Sequence, residues 1–229
     1  MRTGPAIVGV LAWLVICGRA LGLTLADISN QDAVQGLKDA LIQSSGKAVS
    51  QLSLPNGFLD NAKVKIPLPD SIQRVESTLR LVGMGSAADE LVTSMNRAAE
   101  MAVREATPLL VSSVKSMSVS DAKGILAGGD DAATQYFKRT TSAQLAQRFL
   151  PIVKRSTAKV ELAQQYNQLA GYAAQFGLVR KEDANIDEYV TRKALDGLYL
   201  VIAEQERAIR RDPVGAATSV AKKVFGALR

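Results

Sequence analysis

The chain has 229 residues, a formal net charge of +6 and no histidine, which excludes a Ser-His-Asp triad, a Cys-His pair and a histidine-ligated metal site. An enzyme built on this chain would have to work with carboxylates, lysine, tyrosine, serine or threonine. The length fits one domain and is sufficient to bury a core.

The first residues have the pattern of a cleavable secretory signal peptide. Arg2 supplies a basic start, residues 7–17 are apolar, and small residues precede a cut near Gly22/Leu23. The apolar run is shorter than the stretch of about 20 residues that spans a bilayer, although a retained N-terminal anchor is the alternative. Cleavage would also remove Cys17, the only cysteine. We therefore expect a periplasmic protein without disulfides or thiol chemistry.

Helical periodicity dominates the rest of the chain, and no segment alternates as a strand does. We predict a signal peptide over 1–22 and a single all-α, bundle-like domain over 23–229, with about eight to ten helices. The first helix covers residues 33–52. An extended, proline-containing linker follows near residues 55–69, because proline disfavours helix both at its own position and at the preceding one. Apolar residues in this linker indicate that it packs along the domain.

Glycines and capping pairs predict where the next helices begin and end. The helix that begins at Asp70 stops at Gly83, and a later helix stops before Gly177, as glycine allows. Ser86 with Asp89 and Ser118 with Asp121 have the spacing of capping boxes, so each pair predicts a helix start.

The strongest helical pattern runs over residues 187–211, with Asp187 as its predicted N-cap. Its predicted i,i+4 ion pairs are Arg192–Asp196 and Glu206–Arg210. A basic, amphipathic C-terminal helix is predicted near residues 213–228.

The block Gly128-Gly129-Asp130-Asp131 has two interpretations. As a joint between helices, its glycines would end one helix in the left-handed conformation, and its aspartates would cap the next. As a site, the paired carboxylates of Asp130 and Asp131 would raise one pKa or hold a cation. Two adjacent acids with no third ligand nearby favour the joint, although the sequence leaves the question open.

Four further polar residues interrupt apolar helical patterns and are candidates for a ligand pocket: Asn96, Arg97, Tyr136 and Asn167. The alternative is that they form hydrogen bonds between helices, since buried polar groups are normally paired. The glycine-rich residues 83–88 lack the strand that a dinucleotide site needs, and residues 183–194 lack the glycine and glutamate of a calcium loop. We therefore predict no catalytic residues, no metal and no cofactor.

Two segments of the chain are strongly basic. Their cations predict an anion-contacting face, with an ordinary solvated surface as the alternative. The residues proposed for this face are Lys138, Arg139, Arg148, Arg155, Lys159, Arg210 and Arg211. The partner is unknown, with an anionic lipid surface or an envelope protein as candidates; nucleic acid does not suit an exported protein.

Several long blocks of the chain occur together in one known family. They are GFLDNAKVKIPLPDSIQRVE, GMGSAADELVTSMNRAAE, ILAGGDDAATQYFKRTTSAQL, YNQLAGYA and YVTRKALDGLYLVIAEQERAIRRDP. With these blocks the chain resembles the bacterial family known as domain of unknown function 4197, over about residues 33–226. The resemblance implies an exported, mainly helical bacterial protein. It implies no reaction and transfers no catalytic residue.

The leading functional hypothesis is a non-catalytic binding or scaffolding role in the cell envelope, through a basic face or a groove between helices. The alternative is a carboxylate-based enzyme or small-ligand carrier with a site around Asp130 and Asp131. A pocket lined by the candidate ligand residues would favour the alternative.

Overall fold

The computed structural model describes residues 30–212 and residue 222. The predicted signal peptide and most of the predicted C-terminal helix lie outside the described residues. The described part forms nine α-helices and no strand, which confirms the predicted all-α, bundle-like fold. The helices are α1 (Asn30–Leu52), α2 (Asp70–Gln73), α3 (Glu76–Leu81), α4 (Gly85–Val103), α5 (Ala106–Lys115), α6 (Val119–Ala127), α7 (Ala132–Thr157), α8 (Glu161–Gln175) and α9 (Ile186–Arg211), with a 3-10 turn at Lys181–Asp183.

The core lies between the four longest helices. α7 packs along α9 and α4, and α1 packs against α9 and α5. Phe137, Leu145 and Phe149 of α7 meet Leu198 of α9 in one buried cluster. Burial of each such side chain contributes about 1.5–3 kcal/mol, so this cluster fixes α7 against α9.

The linker between α1 and α2 packs along the domain, as its apolar residues predict, but it is extended only in part. Residues 53–64 are mostly in turns with backbone hydrogen bonds, whereas residues 65–69 form no turn. Phe58 and Ile66 are fully buried. The Asn96 side chain of α4 accepts a hydrogen bond from Ile66 N at 2.8 Å and donates one to Ile66 O at 2.9 Å. A side chain at Gly197 would place its Cβ 2.7 Å from the Phe58 ring, so glycine lets the linker approach α9.

Two helices end at left-handed glycines, at the predicted positions, although the helix predicted from Asp70 to Gly83 is divided into α2 and α3. Gly83 has φ +83° and Gly177 has φ +72°. Beyond α8, Gly177 N donates to Ala174 O and Leu178 N donates to Ala173 O, which is the Schellman arrangement. The same pair of bonds follows α3. Here the local sequence was sufficient to predict the turn.

Of the three predicted N-terminal caps, one is right and two are wrong. Ser118 and Asp121 form the predicted capping box of α6. Asp89 does not cap α4, because its carboxylate pairs with Arg80 of α3 instead. The N-cap of α9 is Asn185 rather than Asp187, and its side chain accepts from two backbone N–H groups.

Candidate functional site

The joint between α6 and α7 uses its first glycine for close packing. Gly128 follows α6 with φ −84° and ψ 175°, outside the left-handed region that the sequence predicted. A Cβ added to Gly128 would lie 2.6 Å from Ala132 Cβ and 2.8 Å from Gly124 O. Gly129 faces open space. Gly128 is therefore required by close contact across the joint.

The carboxylate that caps α7 comes from α9. Glu206 accepts hydrogen bonds from Ala133 N and Thr134 N at 2.9 Å each, although it lies more than 70 residues away in sequence. Arg210 donates to Glu206 at 3.0 Å and to Ile125 O, at the end of α6, at 2.9 Å. This buried pair, which matches the predicted Glu206–Arg210 ion pair, joins the ends of α6, α7 and α9.

Asp130 and Asp131, the acids predicted to cap α7 or hold a cation, are exposed at this joint. Asp131 is the N-cap residue but forms no side-chain capping bond, and its carboxylate accepts from Gln135 instead. Within the described residues, no group of three His, Cys, Asp or Glu side chains is arranged to hold a metal ion.

The other predicted ligand residues are spread over the molecule, and most of them form hydrogen bonds with backbone groups. Asn96 fixes the linker, as described above. Tyr136 donates its hydroxyl to Ser113 O at 2.8 Å, and Asn167 accepts from Ile186 N at 2.7 Å. Arg97 pairs with Glu100. The structure does not bring these four residues together with Asp130 and Asp131 around one cavity.

A groove between α7 and α9 is the strongest candidate for a binding site. It has a volume of about 590 Å³, within the range of about 300–1,000 Å³ typical of ligand pockets. Its apolar part is formed by Ala143, Ala146 and Leu150 of α7 and Leu195 of α9. None of the six predicted ligand residues lines it. Small side chains on α7 leave the space that a ligand would fill.

Thr191 of α9 lines this groove, but its hydroxyl is buried. The residue is only 5% exposed, and its hydroxyl has no hydrogen-bond partner. By contrast, Thr141 and Thr157 of α7 bond the backbone one turn earlier, at 2.7 and 3.1 Å. An unpaired buried hydroxyl is costly, so the Thr191 hydroxyl lowers the stability of the folded protein.

The two ends of the groove differ in chemistry. At one end Tyr199 shares hydrogen bonds with the Thr141 and Ser142 hydroxyls, and the Lys138 ammonium lies 5.9 Å from the centre of the Tyr199 ring. At the other end lie Glu188 and Arg192. Polar groups at both ends of an apolar groove can orient a bound molecule.

Arg192 contacts different partners from the one predicted. Its guanidinium pairs with Asp183, which is buried, rather than with Asp196. It also lies 5.5 Å from the centre of the Tyr189 ring. Burial, with a smaller contribution from Asp183, raises the pKa of Tyr189 to about 12.

The cations of the predicted anion-contacting face occupy different environments. Arg148, Arg155, Lys159 and Arg211 are exposed. Lys138 lies at the groove, and Arg139 pairs with Asp121 at 3.4 Å. Arg210 belongs to the buried joint with Glu206, where it is only 11% exposed. The accessible part of the proposed face therefore comes from α7, from the residue two positions beyond it and from the end of α9.

The groove was not predicted from the sequence. Thr191 lies within the buried stripe of α9, beside Val190 and Ala194. One threonine among buried apolar residues is only a weak indication of a binding site. Ala143 and Ala146 lie at more accessible positions of α7, where alanine is unremarkable in a sequence. Only the packing of the two helices turns these residues into one lining.

Comparison with known proteins identifies a family for this chain. Among the described residues, no helix is both long enough and apolar enough to span a bilayer. No curated protein and no solved structure matches the chain. A family model described as "Protein of unknown function (DUF4197)" matches residues 27–226. The chain therefore belongs to the DUF4197 family of proteins of unknown function.

Proposed function

We propose that this protein is a non-catalytic binding protein of the bacterial cell envelope, and that it holds a mostly apolar ligand in the groove between α7 and α9. The observation that carries the proposal is a groove of about 590 Å³ whose apolar middle lies between polar groups at both ends. The apolar body of the ligand would lie over Ala143, Ala146 and Leu195, and its polar atoms would meet the side chains at the two ends.

The alternative hypothesis, a carboxylate-based enzyme or carrier centred on Asp130 and Asp131, has less support from the geometry. Both residues are exposed at a helix joint, and the groove lies elsewhere on α7. Asn96, Tyr136 and Asn167 are already engaged with backbone groups. These contacts support structural roles for the three residues.

Replacement of Thr191 by valine tests whether its buried hydroxyl is unpaired. Thr191→Val removes the unpartnered hydroxyl and keeps the shape, so we expect the protein to gain about 1 kcal/mol of unfolding free energy. Thr141→Val is the control, because its hydroxyl is paired and its loss should destabilise the protein by about 1 kcal/mol. Equal losses of stability in both variants would show that the Thr191 hydroxyl is paired as well.

Binding is tested with a fluorescent anilinonaphthalene sulfonate dye as the apolar probe. Ala146→Phe fills the groove and should remove the part of the dye signal that arises there. Gln144→Phe adds the same side chain at an exposed position of α7 that does not line the groove, and should keep the signal. Equal dye binding by the two variants would contradict the proposal.

Export to the periplasm is the second element of the proposal and rests on the signal-peptide pattern. Mature protein should begin near Leu23 and fractionate with the periplasm. Mass spectrometry of the N-terminus after fractionation measures both properties. A full-length N-terminus in the membrane fraction would contradict export by a cleaved signal.

Weak binding to anionic surfaces is a second candidate function, favoured by the exposure of Arg148 and Arg155. Neither residue forms an ion pair within the described part of the chain. Binding to phosphatidylglycerol vesicles should fall with added salt and with Arg148→Glu. Lys47→Glu makes the same change of charge on α1 and is the control. Equal effects of the two substitutions would indicate a response to net charge alone.

A further inference from the structure

Helix α8 presents an unusual apolar surface to solvent. Leu169, Tyr172 and Phe176 are 71%, 69% and 78% exposed, and Leu178 is 73% exposed. The spacing of the first three residues places them on one side of the helix. Ala163, Tyr166 and Ala170 are buried on the inner side. Exposed apolar clusters of this kind mark interaction surfaces, so this side of α8 is a candidate surface for a partner.

The backbone extends this surface beyond the end of the helix. The left-handed conformation of Gly177 turns the chain so that Leu178 N bonds Ala173 O at 3.0 Å. This turn places Leu178 back beside the last turn of α8. The surface, which we call the α8 face, therefore consists of Leu169, Tyr172, Phe176 and Leu178 on a hydrogen-bonded scaffold.

The charges around the α8 face suit a second copy of the same chain. Glu161 is the only charged residue in α8, and the other polar positions are mostly glutamines. Two copies can therefore approach without repulsion between like charges. Lys181 follows the helix, is exposed, and forms no ion pair within the described residues, whereas the neighbouring Arg180 is paired with three acids.

An antiparallel arrangement brings these opposite charges together. Glu161 lies about 16 Å from Tyr172 along the helix axis, at 1.5 Å per residue. If two α8 helices cross near Tyr172, Glu161 of each copy lies beside the segment that follows α8 in the other copy. That segment carries Lys181. We propose that the protein forms a two-fold symmetric dimer through the α8 face, with Glu161–Lys181 pairs at both ends.

The apolar part of the proposal is tested by sedimentation equilibrium of the mature chain. Wild-type protein should dimerise, and Tyr172→Glu should raise the dimer dissociation constant at least about tenfold, the effect of 1.4 kcal/mol. The residue is exposed, so the helical content of the variant should not change. Leu54→Glu makes a similar change at an exposed residue outside α8 and should leave dimerisation intact.

Charge exchange distinguishes a second copy from any other occupant. Glu161→Lys and Lys181→Glu should each weaken the dimer, and the double exchange should restore it, because both pairs are re-formed with reversed sign. Additive weakening in the double variant would overturn the proposed arrangement. A wild-type protein that stays monomeric, or that uses Tyr172 only to bind vesicles, would overturn the dimer itself. The α7–α9 groove is not involved, so its test is independent.

Discussion

At Gly128 the space available for a side chain determines the residue type. Its neighbours Ala132 Cβ and Gly124 O leave no room for a Cβ, whereas Gly129 faces open space. Among the described glycines, only Gly83 and Gly177 have positive φ. Of the two adjacent glycines in this joint, Gly128 is therefore needed because a side chain would not fit, whereas Gly129 has room for one.

We predict opposite effects of alanine at these two glycines. Gly128→Ala should lower the free energy of unfolding by about 1–3 kcal/mol, because the added methyl group overlaps its neighbours. Gly129→Ala should be neutral or raise it by up to about 1 kcal/mol, because alanine restricts the unfolded chain. Urea denaturation of both variants measures the difference. A larger loss at Gly129 would support the left-handed turn that the sequence suggested.

At the scale of helices, the α6–α7 joint depends on a contact with α9. Glu206 accepts the first free N–H groups of α7 and is held by Arg210, which also bonds the last turn of α6. Negative charge at a helix N-terminus is favourable, and burial strengthens the effect. A substitution at Glu206 should therefore destabilise all three helix ends at once.

We predict that Glu206→Ala lowers the free energy of unfolding by about 3 kcal/mol, because it removes the buried carboxylate that pairs with Arg210 and accepts from two N–H groups of α7. Glu204→Ala, two residues earlier in α9, removes a more exposed ion pair with Lys63 and should cost less than about 1 kcal/mol. Chemical denaturation compares the two variants. If Asp131→Ala proved more harmful than Glu206→Ala, a local cap would explain the joint better.

At the scale of the whole molecule, buried tyrosines make the free energy of unfolding depend on pH in the alkaline range. Burial raises the pKa of Tyr189 to about 12, and it also raises the pKa of Tyr166 and of Tyr199. Tyrosine in an unfolded chain titrates near pH 10. Between about pH 10 and 12 the folded protein therefore keeps protons that the unfolded chain releases.

We predict that the stability contributed by these groups is fully present below about pH 10 and is lost as the pH rises towards 12. The free energy of unfolding at several alkaline pH values, with phenolate absorbance as a second signal, tests this dependence. Tyr189→Phe loses the hydrogen bond to Pro67 O but should show a weaker dependence on pH. An unchanged slope in this variant would exclude Tyr189 as a contributor.

The sequence by itself determined the features of this protein that depend on neighbouring residues. Helical periodicity predicted an all-α fold, prolines predicted the break between α1 and α2, and Gly83 and Gly177 predicted the ends of two helices, because each signal acts within a few residues of the chain. The family followed from long blocks of sequence. The export signal and the roles proposed for Asp130 and Asp131 remain predictions.

Only the tertiary structure decided which distant groups meet. Glu206 replaced the aspartates as the cap of α7, and Asp183 replaced Asp196 as the partner of Arg192, because a buried charge bonds the nearest group in space. The unpartnered hydroxyl of Thr191 likewise appears only when α7 and α9 enclose it. Local patterns set the helices, whereas the groove and the joint arise from contacts between residues far apart in the chain.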